Sequence, residues 1–514
     1  MLWKWIRFDL FSALVFLSIH FAMARMTAAD TANPTERRRE PNIVFILIDD
    51  LRSDTFSFMQ HPFVQTPEID RLAEQGRVFR NAFVTTSLCS PARASFLTGQ
   101  YMHHHRVVDN SDPMPAGTII FPRLLQNAGY ATAFIGKWHM GGADDAPQQG
   151  FSHWVSFRGQ GTYFPQGQTL NVNGERLPRR NYMTDELTEY AVDWLKQQTT
   201  DKPFLLYLSH KGVHGLYDPA PRHNDVYRDR PLPFVWQPPS DNPPGIPLWV
   251  QDQRNSWHGV EFPYYGRSGQ TLAEMYRHYC EMILSIDDSV GAVRRTLEEQ
   301  DLAENTLIVF TSDGGHLWGE HGLIDKRCAY EESIRIPMVI SWPAAIPAGT
   351  SSHRMIRNID LAPTLLDCAS LPAPAGMDGR SLKSRLTDES VNPLSGSESD
   401  ADLLYEYYWE PAFPQTPTTF CLREARYKLI QYHGVWDTDE LFDLTKDPQE
   451  TTNLIEDPAM ANEVTRLRQK LYTRLHESGG LNIPLGFKRN LGSNLRRPDG
   501  TPRAEFPPSM LKVE

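Results

Sequence analysis

The chain has 514 residues, of which 40% are hydrophobic and 22% are charged, and its formal net charge is -12 at pH 7. This length and composition are typical of a globular protein with one large domain and a smaller one. The acidic balance excludes a basic surface field that could hold a polyanionic backbone, so we expect no nucleic-acid partner and only local binding of any anion.

The N-terminal segment has the pattern of a cleaved secretory signal peptide, which we assign to residues 1–29. Lys4 and Arg7 precede an apolar run over residues 10–24 that ends in small residues. A retained membrane anchor is the alternative, but the run is shorter than the roughly 20 residues that a spanning helix needs. The pattern therefore predicts export to the periplasm or the medium, without stable membrane insertion after cleavage.

Apolar runs and helical patterns then alternate along the chain. Continuous apolar runs, typical of strands buried on both faces of a parallel sheet, occupy residues 43–48, 131–135, 204–208, 306–310 and 337–340. Helical periodicity lies between them, at residues 67–75, 121–128, 184–197 and 271–299. This alternation predicts an α/β fold with a large, doubly wound, mostly parallel sheet flanked by helices. We assign this domain to residues 38–390.

The remaining segments predict a cleft rim and a second unit. Residues 217–270 are rich in Pro and Trp and show little periodicity, which predicts a long loop. Loops of this length in compact domains usually have a function, so we place this one on the rim of a cleft. A polar linker at residues 387–402 leads to a smaller C-terminal α+β subdomain at residues 400–490. Its predicted elements are antiparallel strands at 403–409 and 420–432 and a helix at 460–476. A tail follows at residues 491–514.

The five cysteines are too few for a disulfide scaffold in a chain of this size. We interpret Cys280, Cys368 and Cys421 as small buried hydrophobic residues. Cys89 differs from these three, because it lies in a sequence motif that indicates a chemical role.

Polar side chains follow the predicted strands where each strand ends. They are Asp49, Asp50, Lys137, His139, His214 and Asp313. Each alone has an ordinary explanation, since paired Asp residues often form turns or caps and a single His is often a structural hydrogen bonder. The carboxyl ends of parallel strands, however, meet at one edge of a sheet. Three carboxylates there would repel one another unless a hard cation bound them, and their placement on separate loops favours calcium over magnesium.

Residues 88–99 hold the most specific motif of the chain. They read Leu-Cys-Ser-Pro-Ala-Arg-Ala-Ser-Phe-Leu-Thr-Gly, which is C-x-P-x-R followed by A-S-x-L-T-G. This extended pattern is similar to the signature of type I, formylglycine-dependent sulfatases of the alkaline phosphatase superfamily. The resemblance covers about residues 40–456, with further blocks in family order at 41–50, 66–73, 136–139 and 311–326.

The resemblance implies that Cys89 is oxidised to formylglycine by a formylglycine-generating enzyme, which would recognise Pro91 and Arg93. The aldehyde would hydrate to a diol, one hydroxyl of which attacks sulfur while the other later expels sulfate. Cys89 also lies at the predicted start of a helix, where the backbone N–H groups favour an anion.

The resemblance also implies roles for the polar residues at the strand ends. One calcium ion would be held by Asp49, Asp50, Asp313 and the oxygen derived from Cys89. The cations Lys137, Lys326 and Arg93 would hold the sulfate oxygens and the ionised diol. His214 would protonate the leaving alcohol, and His139 would assist deprotonation of the diol during sulfate release. For Lys326 the alternative is a surface lysine after a turn.

His103, His104 and His105 form a second possible metal site. Because consecutive histidines seldom converge on one ion, we do not assign them a metal.

One residue departs from the family pattern. Gly314 stands where the family usually has Asn or His after the third aspartate, so water or His316 would have to complete the calcium site. Weaker calcium binding would leave a noncatalytic sulfoglycan-binding protein as an alternative.

The His-Lys-Gly-Val-His loop at residues 210–214 and the block at residues 405–454 most resemble sulfatases that act on N-acetylglucosamine 6-sulfate. The expected substrate is therefore a sulfated oligo- or polysaccharide, with His433, Trp436 and the 217–270 loop as candidate sugar contacts. Trp436 is equally compatible with a place in the core. A phosphonate or phosphate ester hydrolase of the same superfamily is a further alternative.

Overall fold

The computed structural model describes residues 40–233, 245–253, 270–387, 402–411, 413–434 and 437–484. The chain divides into a short unit, Met1–Glu40, and one large unit, Pro41–Glu514. The predicted signal peptide, the tail and nearly all of the 387–402 linker lie outside the described residues. Within the described ranges, no helix is both long enough and apolar enough to cross a membrane.

The strands of the described residues form three sheets. In chain order they are β1 (Asn42–Ile48), β2 (Arg77–Phe83), β3 (Ala131–Gly136), β4 (His153–Ser156), β5 (Thr169–Val172), β6 (Glu175–Pro178), β7 (Phe204–Ser209), β8 (Thr306–Ser312), β9 (Leu317–Trp318), β10 (Ile324–Asp325), β11 (Arg335–Ile336), β12 (Met338–Ser341), β13 (Thr350–Arg357), β14 (Leu403–Tyr407), β15 (Thr418–Arg423), β16 (Tyr427–His433) and β17 (Glu440–Asp443).

The helices flank these sheets. They are α1 (Pro67–Glu74), α2 (Cys89–Thr98), α3 (Met102–His105), α4 (Phe121–Asn127), α5 (Met183–Leu195), α6 (Leu248–Gln253), α7 (Leu272–Glu299), α8 (Glu331–Ile334), α9 (Leu361–Cys368), α10 (Lys383–Thr387) and α11 (Ala461–Ser478). Short 3-10 turns lie at Ser57–Met59, Glu320–Gly322, Asn358–Asp360 and Pro458–Met460. The longest helix, α7, starts at a capping box, in which Thr271 and Glu274 satisfy each other's backbone N–H groups.

The central sheet has 11 strands among the described residues, in the order β11-β2-β12-β8-β1-β7-β3-β4-β5-β6, with β13 paired to β2. The run β8-β1-β7-β3-β4 is parallel, whereas β12, β5 and β6 join it in antiparallel pairs. The predicted α/β class with a mostly parallel sheet is confirmed. Because β8, β1, β7 and β3 run the same way, the residues after them meet at one edge.

Burial on both faces explains why the parallel strands are continuous apolar runs. In β1, Ile43, Phe45 and Leu47 pack into one hydrophobic cluster, whereas the alternate residues pack into the cluster on the opposite face. Every residue of β1 is buried. This is the pattern of a strand covered by helices on both sides.

The C-terminal strands form a separate antiparallel sheet in the order β14-β15-β16-β17. Helix α11 packs Val464, Leu467, Leu471 and Leu475 against one face of it. The predicted antiparallel sheet and the helix are confirmed. The strand predicted at residues 420–432 is in fact two strands, because the chain turns at residues 424–426 to form a hairpin. The proposed domain boundaries remain predictions.

The three cysteines interpreted as small hydrophobic residues are buried, with Cys280 and Cys421 fully enclosed and Cys368 nearly so. All five cysteines are free thiols in the structure. No disulfide therefore supports the fold in the described part of the chain, and its stability comes from the packed clusters on the two faces of the sheet.

Candidate active site

Three aspartates meet at the carboxyl edge of the central sheet. Asp49 and Asp50 follow β1, Asp313 follows the neighbouring β8, and carboxylate oxygens of all three lie within 4.8 Å of one another. The Asp50 N–H donates to Asp313 Oδ1 at 3.2 Å, and Asp50 has a φ of 60°, which turns its side chain toward its neighbours. All three side chains are buried. The sequence-predicted acidic cluster therefore exists as a structural unit.

Three cationic side chains pair with these acids. Lys137 Nζ is ion-paired with Asp49, and Lys326 Nζ with Asp50. Arg93 Nη2 lies 2.7 Å from Asp313 Oδ2 and 3.5 Å from Asp49 Oδ1. The sequence predicts that the carboxylates would repel one another unless a metal bound them. That prediction is incomplete, because three cationic side chains can also neutralise the charge of the three acids.

The geometry of the acids nevertheless fits a hard divalent cation. Asp49 Oδ1, Asp50 Oδ2 and Asp313 Oδ2 are buried and accept no well-formed hydrogen bond, although Arg93 lies in ion-pair range of two of them. Buried carboxylate oxygens rarely lack a hydrogen-bond donor unless a ligand such as a metal ion binds them. A set of carboxylate oxygens suits hard cations such as calcium and magnesium.

The charges of the cluster are unevenly distributed. Burial raises the pKa of Asp50 to about 7, against the opposing effect of Lys326. Burial also raises the pKa of Asp313 to about 6, and the negative charge of Asp49 adds to that shift. For Asp49, burial is outweighed by Lys137, His214 and Arg93, so its pKa falls well below the usual value. A bound cation would favour the ionised form of all three acids.

Cys89 is the first residue of α2, as the sequence predicts, and it lies beside the acids. Its Sγ accepts a hydrogen bond from Lys326 Nζ at 3.1 Å, and ligand atoms of Cys89, Asp49 and His214 lie within 4.8 Å of one another. Burial raises the pKa of the Cys89 thiol to about 12, so the unmodified thiol stays protonated at neutral pH and is a poor nucleophile.

Hydrogen bonds fix the proton positions of the two imidazoles. Ser90 Oγ donates to the His139 carbonyl at 2.9 Å, so it must accept from His139 Nδ1 at 3.2 Å. His214 Nδ1 donates to the Gly215 carbonyl at 2.6 Å, because a carbonyl can only accept. In both rings Nε2 is therefore the atom that can exchange a proton with a ligand. Burial lowers the pKa of both imidazoles well below the usual value, so both are neutral at pH 7 in this structure.

Comparison with known proteins decides the family. The family model described as "Sulfatase" matches residues 41–371, and the model "N-sulphoglucosamine sulphohydrolase, C-terminal" matches residues 319–477. The chain belongs to the sulfatase family. It is accordingly a sulfuric ester hydrolase of the alkaline phosphatase superfamily.

The sulfatase is similar to proteins with related names. An N-acetylglucosamine-6-O-sulfatase from Bacteroides thetaiotaomicron is 31% identical, over 87% of this chain and 89% of the relative. A multifunctional alkaline phosphatase superfamily protein, PehA, from Trinickia caryophylli is 30% identical, over 84% of this chain and 94% of the relative. A solved structure in complex with its substrate D-glucosamine-2-N,6-O-disulfate has 28% identity and a TM-score of 0.78, and covers 88% of this chain and 100% of that one.

Several residues of the sulfatase site were not found from the sequence. Gln160 Oε1 accepts from Lys137 Nζ at 2.6 Å, and Ser209 Oγ accepts from Arg93 Nη1 at 2.6 Å. Ser209 directly follows the strand predicted at residues 204–208, and Ser90 lies inside the cysteine motif, so position could have suggested both. Nothing in the sequence near Gln160 points to the site, because its loop has no motif.

Gly314 lies beside Lys326, the lysine that contacts Asp50 and Cys89. A Cβ atom at position 314 would lie 3.6 Å from Lys326 Cδ, which is ordinary van der Waals contact, so a side chain has room to start there. His316 is buried nearby, where ligand atoms of Asp50, His316 and Asp325 lie within 4.8 Å of one another. The His316 ring is therefore next to the acid cluster, as the sequence allowed.

The consecutive histidines of the sulfatase turn to different partners. His103 Nδ1 contacts Glu406 at 2.8 Å, His104 contacts Asp378, and His105 Nε2 contacts Ser95 Oγ at 3.0 Å. The three rings do not converge on one point, so the decision not to assign them a metal is consistent with the structure. The candidate sugar contact His433 is exposed at the end of β16, and Trp436 lies outside the described residues.

Proposed function

We propose that this sulfatase removes sulfate from a sulfated oligo- or polysaccharide, with 6-sulfated N-acetylglucosamine or a related unit as the substrate. The observation that carries the proposal is the meeting of three acids, three cations and His214 around Cys89, with His139 bonded to the adjacent Ser90. The names of the Bacteroides relative and of the substrate in the solved structure support a saccharide substrate.

In this proposal Cys89 is converted to formylglycine by a formylglycine-generating enzyme that recognises Pro91 and Arg93. The hydrated aldehyde supplies a hydroxyl nucleophile, which the buried, protonated thiol does not. The raised pKa of the unmodified thiol supports the need for this conversion.

Asp49, Asp50 and Asp313, together with the oxygen made from Cys89, would hold one calcium ion. Bound there, calcium supplies Lewis-acid stabilisation of negative charge on oxygen. The buried oxygens of the three acids that accept no hydrogen bond support this assignment.

The remaining side chains bind the sulfate and move protons. Lys137 and Lys326 hold the non-bridging sulfate oxygens, and Arg93 stabilises the ionised hydroxyl at position 89. In the substrate complex, the negative charge of the sulfate ester favours the imidazolium form of His214, which carries a second proton on Nε2. As the bond between sulfur and the bridging oxygen breaks, His214 delivers this Nε2 proton to that oxygen, which leaves as the alcohol of the sugar. His139 accepts a proton at Nε2 from the hydroxyl at position 89 when sulfate is released.

The proposal includes the processing of the chain. Residues 1–29 act as a signal peptide for export to the periplasm or the medium, residues 38–390 form the catalytic domain, and residues 400–490 form the C-terminal subdomain, with a tail at 491–514. The charged and apolar pattern of the first residues supports the signal assignment.

The test is hydrolysis of a panel of defined sulfated saccharides by the purified wild type, Cys89→Ala and Asp313→Ala, with mass spectrometry of the peptide that contains residue 89. We expect sulfate release by the wild type alone, and a peptide mass that corresponds to an aldehyde in place of the thiol. Equal behaviour of the wild type and both variants would overturn the site assignment.

A second candidate function follows from the similarity to the multifunctional relative PehA. A phosphonate or phosphate ester hydrolase would use the same cations and nucleophile, because all these esters present anionic oxygens to the site. Parallel assays on aryl sulfate, aryl phosphate and aryl phosphonate esters separate the two. A noncatalytic sulfoglycan-binding protein would instead show an unmodified thiol and bind the saccharides without turnover.

A further inference from the structure

The segment that carries His214 is held by the acid loop on one side. After β7 ends at Ser209, the Val213 N–H donates to the Asp49 carbonyl at 2.8 Å, and the Asp49 N–H donates to the Gly212 carbonyl at 3.0 Å. This pair of bonds places His214 Nε2 at 3.8 Å from Asp50 Oδ2. The backbone before His214 is thus fixed relative to the acids, whereas the position of the ring depends on what holds residues 214 and 215.

Tyr163 and Lys211 hold that second half of the segment. The Tyr163 hydroxyl donates to the His214 carbonyl at 2.5 Å and lies 3.5 Å from the Lys211 carbonyl. Lys211 Nζ donates to the Gly215 carbonyl at 3.3 Å. This carbonyl is the one that accepts from His214 Nδ1, so Lys211 contacts the group that fixes the imidazole tautomer.

The two side chains also contact each other. Lys211 Nζ lies 4.1 Å from the centre of the Tyr163 ring, which is cation–π range. Lys211 is 2% exposed and Tyr163 is 3% exposed. In the described part of the chain, no carboxylate forms an ion pair with Lys211, although burial of a lysine without a paired charge opposes folding. A buried ammonium held by a ring face and a carbonyl beside the site points to a functional reason for its presence.

We propose that Tyr163 and Lys211 are positioning residues, which hold the His214 ring at the distance and in the orientation, with Nε2 facing the site, that proton delivery to the leaving alcohol requires. The proposal rests on the proposed role of His214 as the acid. Neither side chain has to contact the substrate, because both act through the backbone carbonyls of residues 214 and 215.

The test uses leaving groups of different basicity. A sugar alkoxide needs a proton as it leaves, whereas 4-nitrophenolate leaves without one, so loss of the acid slows only the first kind of ester strongly. We expect Tyr163→Phe and Lys211→Met to lower kcat/KM at least about tenfold for a sulfated saccharide but less than about threefold for 4-nitrophenyl sulfate. His214→Ala should also lower kcat/KM more for the sulfated saccharide than for 4-nitrophenyl sulfate, and its effect on the saccharide should be larger than that of either variant.

Tyr182→Phe is the matched control. The Tyr182 ring stacks on Tyr163 at 5.6 Å between centroids, and its hydroxyl donates to the Asp218 carbonyl at 3.0 Å, outside the 210–215 segment. Tyr182→Phe should therefore lower kcat/KM by the same factor for the sulfated saccharide and for 4-nitrophenyl sulfate. We expect the Lys211→Met variant to fold. Burial lowers the pKa of the Lys211 ammonium to about 7, and an uncharged side chain of similar length fits the same space.

The outcomes separate this inference from the proposed function. Equal losses for both esters in Tyr163→Phe and Lys211→Met, with a leaving-group preference retained in His214→Ala, would overturn the positioning role and leave the proposed function intact. A wild type that releases no sulfate from any ester would overturn the proposed function and the positioning role with it. When either substitution is added to His214→Ala, a further selective loss would also contradict the proposal, because the positioned group is already gone.

Discussion

Replacement of Asp313 by Asn tests whether the acid cluster is a cation site. The change removes one charge and keeps the shape of the side chain. In the metal-free protein, it removes the Arg93 contact at 2.7 Å, worth about 6 kcal/mol of attraction at an effective dielectric of roughly 20. It also removes repulsion from Asp49 and Asp50 at up to 4.8 Å, worth about 7 kcal/mol for the two pairs on the same basis.

The change also removes the cost of burying the charge and the attraction from Lys326 and Lys137, and together these effects raise the pKa of Asp313 to about 6, so its charge does not stabilise the metal-free fold. The metal-free Asp313→Asn variant should therefore unfold at a temperature no lower than about that of the wild type. Calcium at about 100 times its dissociation constant stabilises a protein by about 2.7 kcal/mol. For a unit of this size, whose unfolding entropy is about 2.1 cal/mol/K per residue, that corresponds to a rise of about 3 °C in the unfolding midpoint. Only the wild type should show this rise.

Thermal unfolding followed by fluorescence, in EGTA and in a calcium series, measures both predictions. Asp193→Asn, which changes an exposed acid on α5, is the control and should respond to calcium as the wild type does. A wild-type midpoint that calcium does not move would refute the reasoning. So would an equal calcium-induced rise in Asp313→Asn, since the ion would then bind elsewhere.

Two further predictions concern buried charges away from the site. Lys428 is fully buried between Glu331 at 2.9 Å and Glu450 at 2.6 Å, so Lys428→Met should lower the unfolding free energy by about 3–5 kcal/mol in urea titrations. The exposed Lys446→Met should have little effect, and an equal change in both would contradict the assignment. Burial raises the pKa of Asp287 to about 7, so this one group should contribute a fall in stability of up to about 1.4 kcal/mol per pH unit as pH rises from about 4 to about 7. Asp287→Asn, which can still accept from the first turn of α1, should remove that contribution, so the difference in unfolding free energy between wild type and variant, from urea titrations at each pH, should change with pH by this amount; a constant difference would contradict the prediction.

The parts of the fold that the sequence predicted are those whose signal is local. Each residue of β1 is buried, so its apolar run identifies it without knowledge of its neighbours. By contrast, β13 has the sequence Thr-Ser-Ser-His-Arg-Met-Ile-Arg and no apolar run, and it exists because it pairs with β2. Pairing with a distant segment determines such a strand, and a single sequence does not contain it. The hairpin of β5 and β6 differs, because its pairing is local: β6 is polar and exposed, but the Asn173-Gly174 turn before it is a sequence signal that could have revealed the hairpin.

The same distinction holds at the site. The acids were found because they follow recognisable strands, His214 because it lies shortly after one, and Cys89 because its motif is specific. Gln160, Tyr163 and Lys211 were missed because their roles depend on which backbone they contact after folding. Lys211 lies three residues before His214, yet only the structure reveals that its ammonium returns to the Gly215 carbonyl.

The charge balance of the site connects the proposed cation to the proposed substrate. When all three acids are ionised, their charges and those of Arg93, Lys137 and Lys326 sum to zero, and the protein as a whole is acidic, with a net charge of -12. Without a cation the site would therefore offer an anion little net attraction, because each lysine is occupied by a carboxylate. If a divalent ion takes over the carboxylates, the site gains two positive charges and the lysines are free to bind sulfate oxygens. By linkage, a bound sulfate ester then strengthens cation binding to the same degree, which lets an acidic protein bind an anionic glycan at one place only.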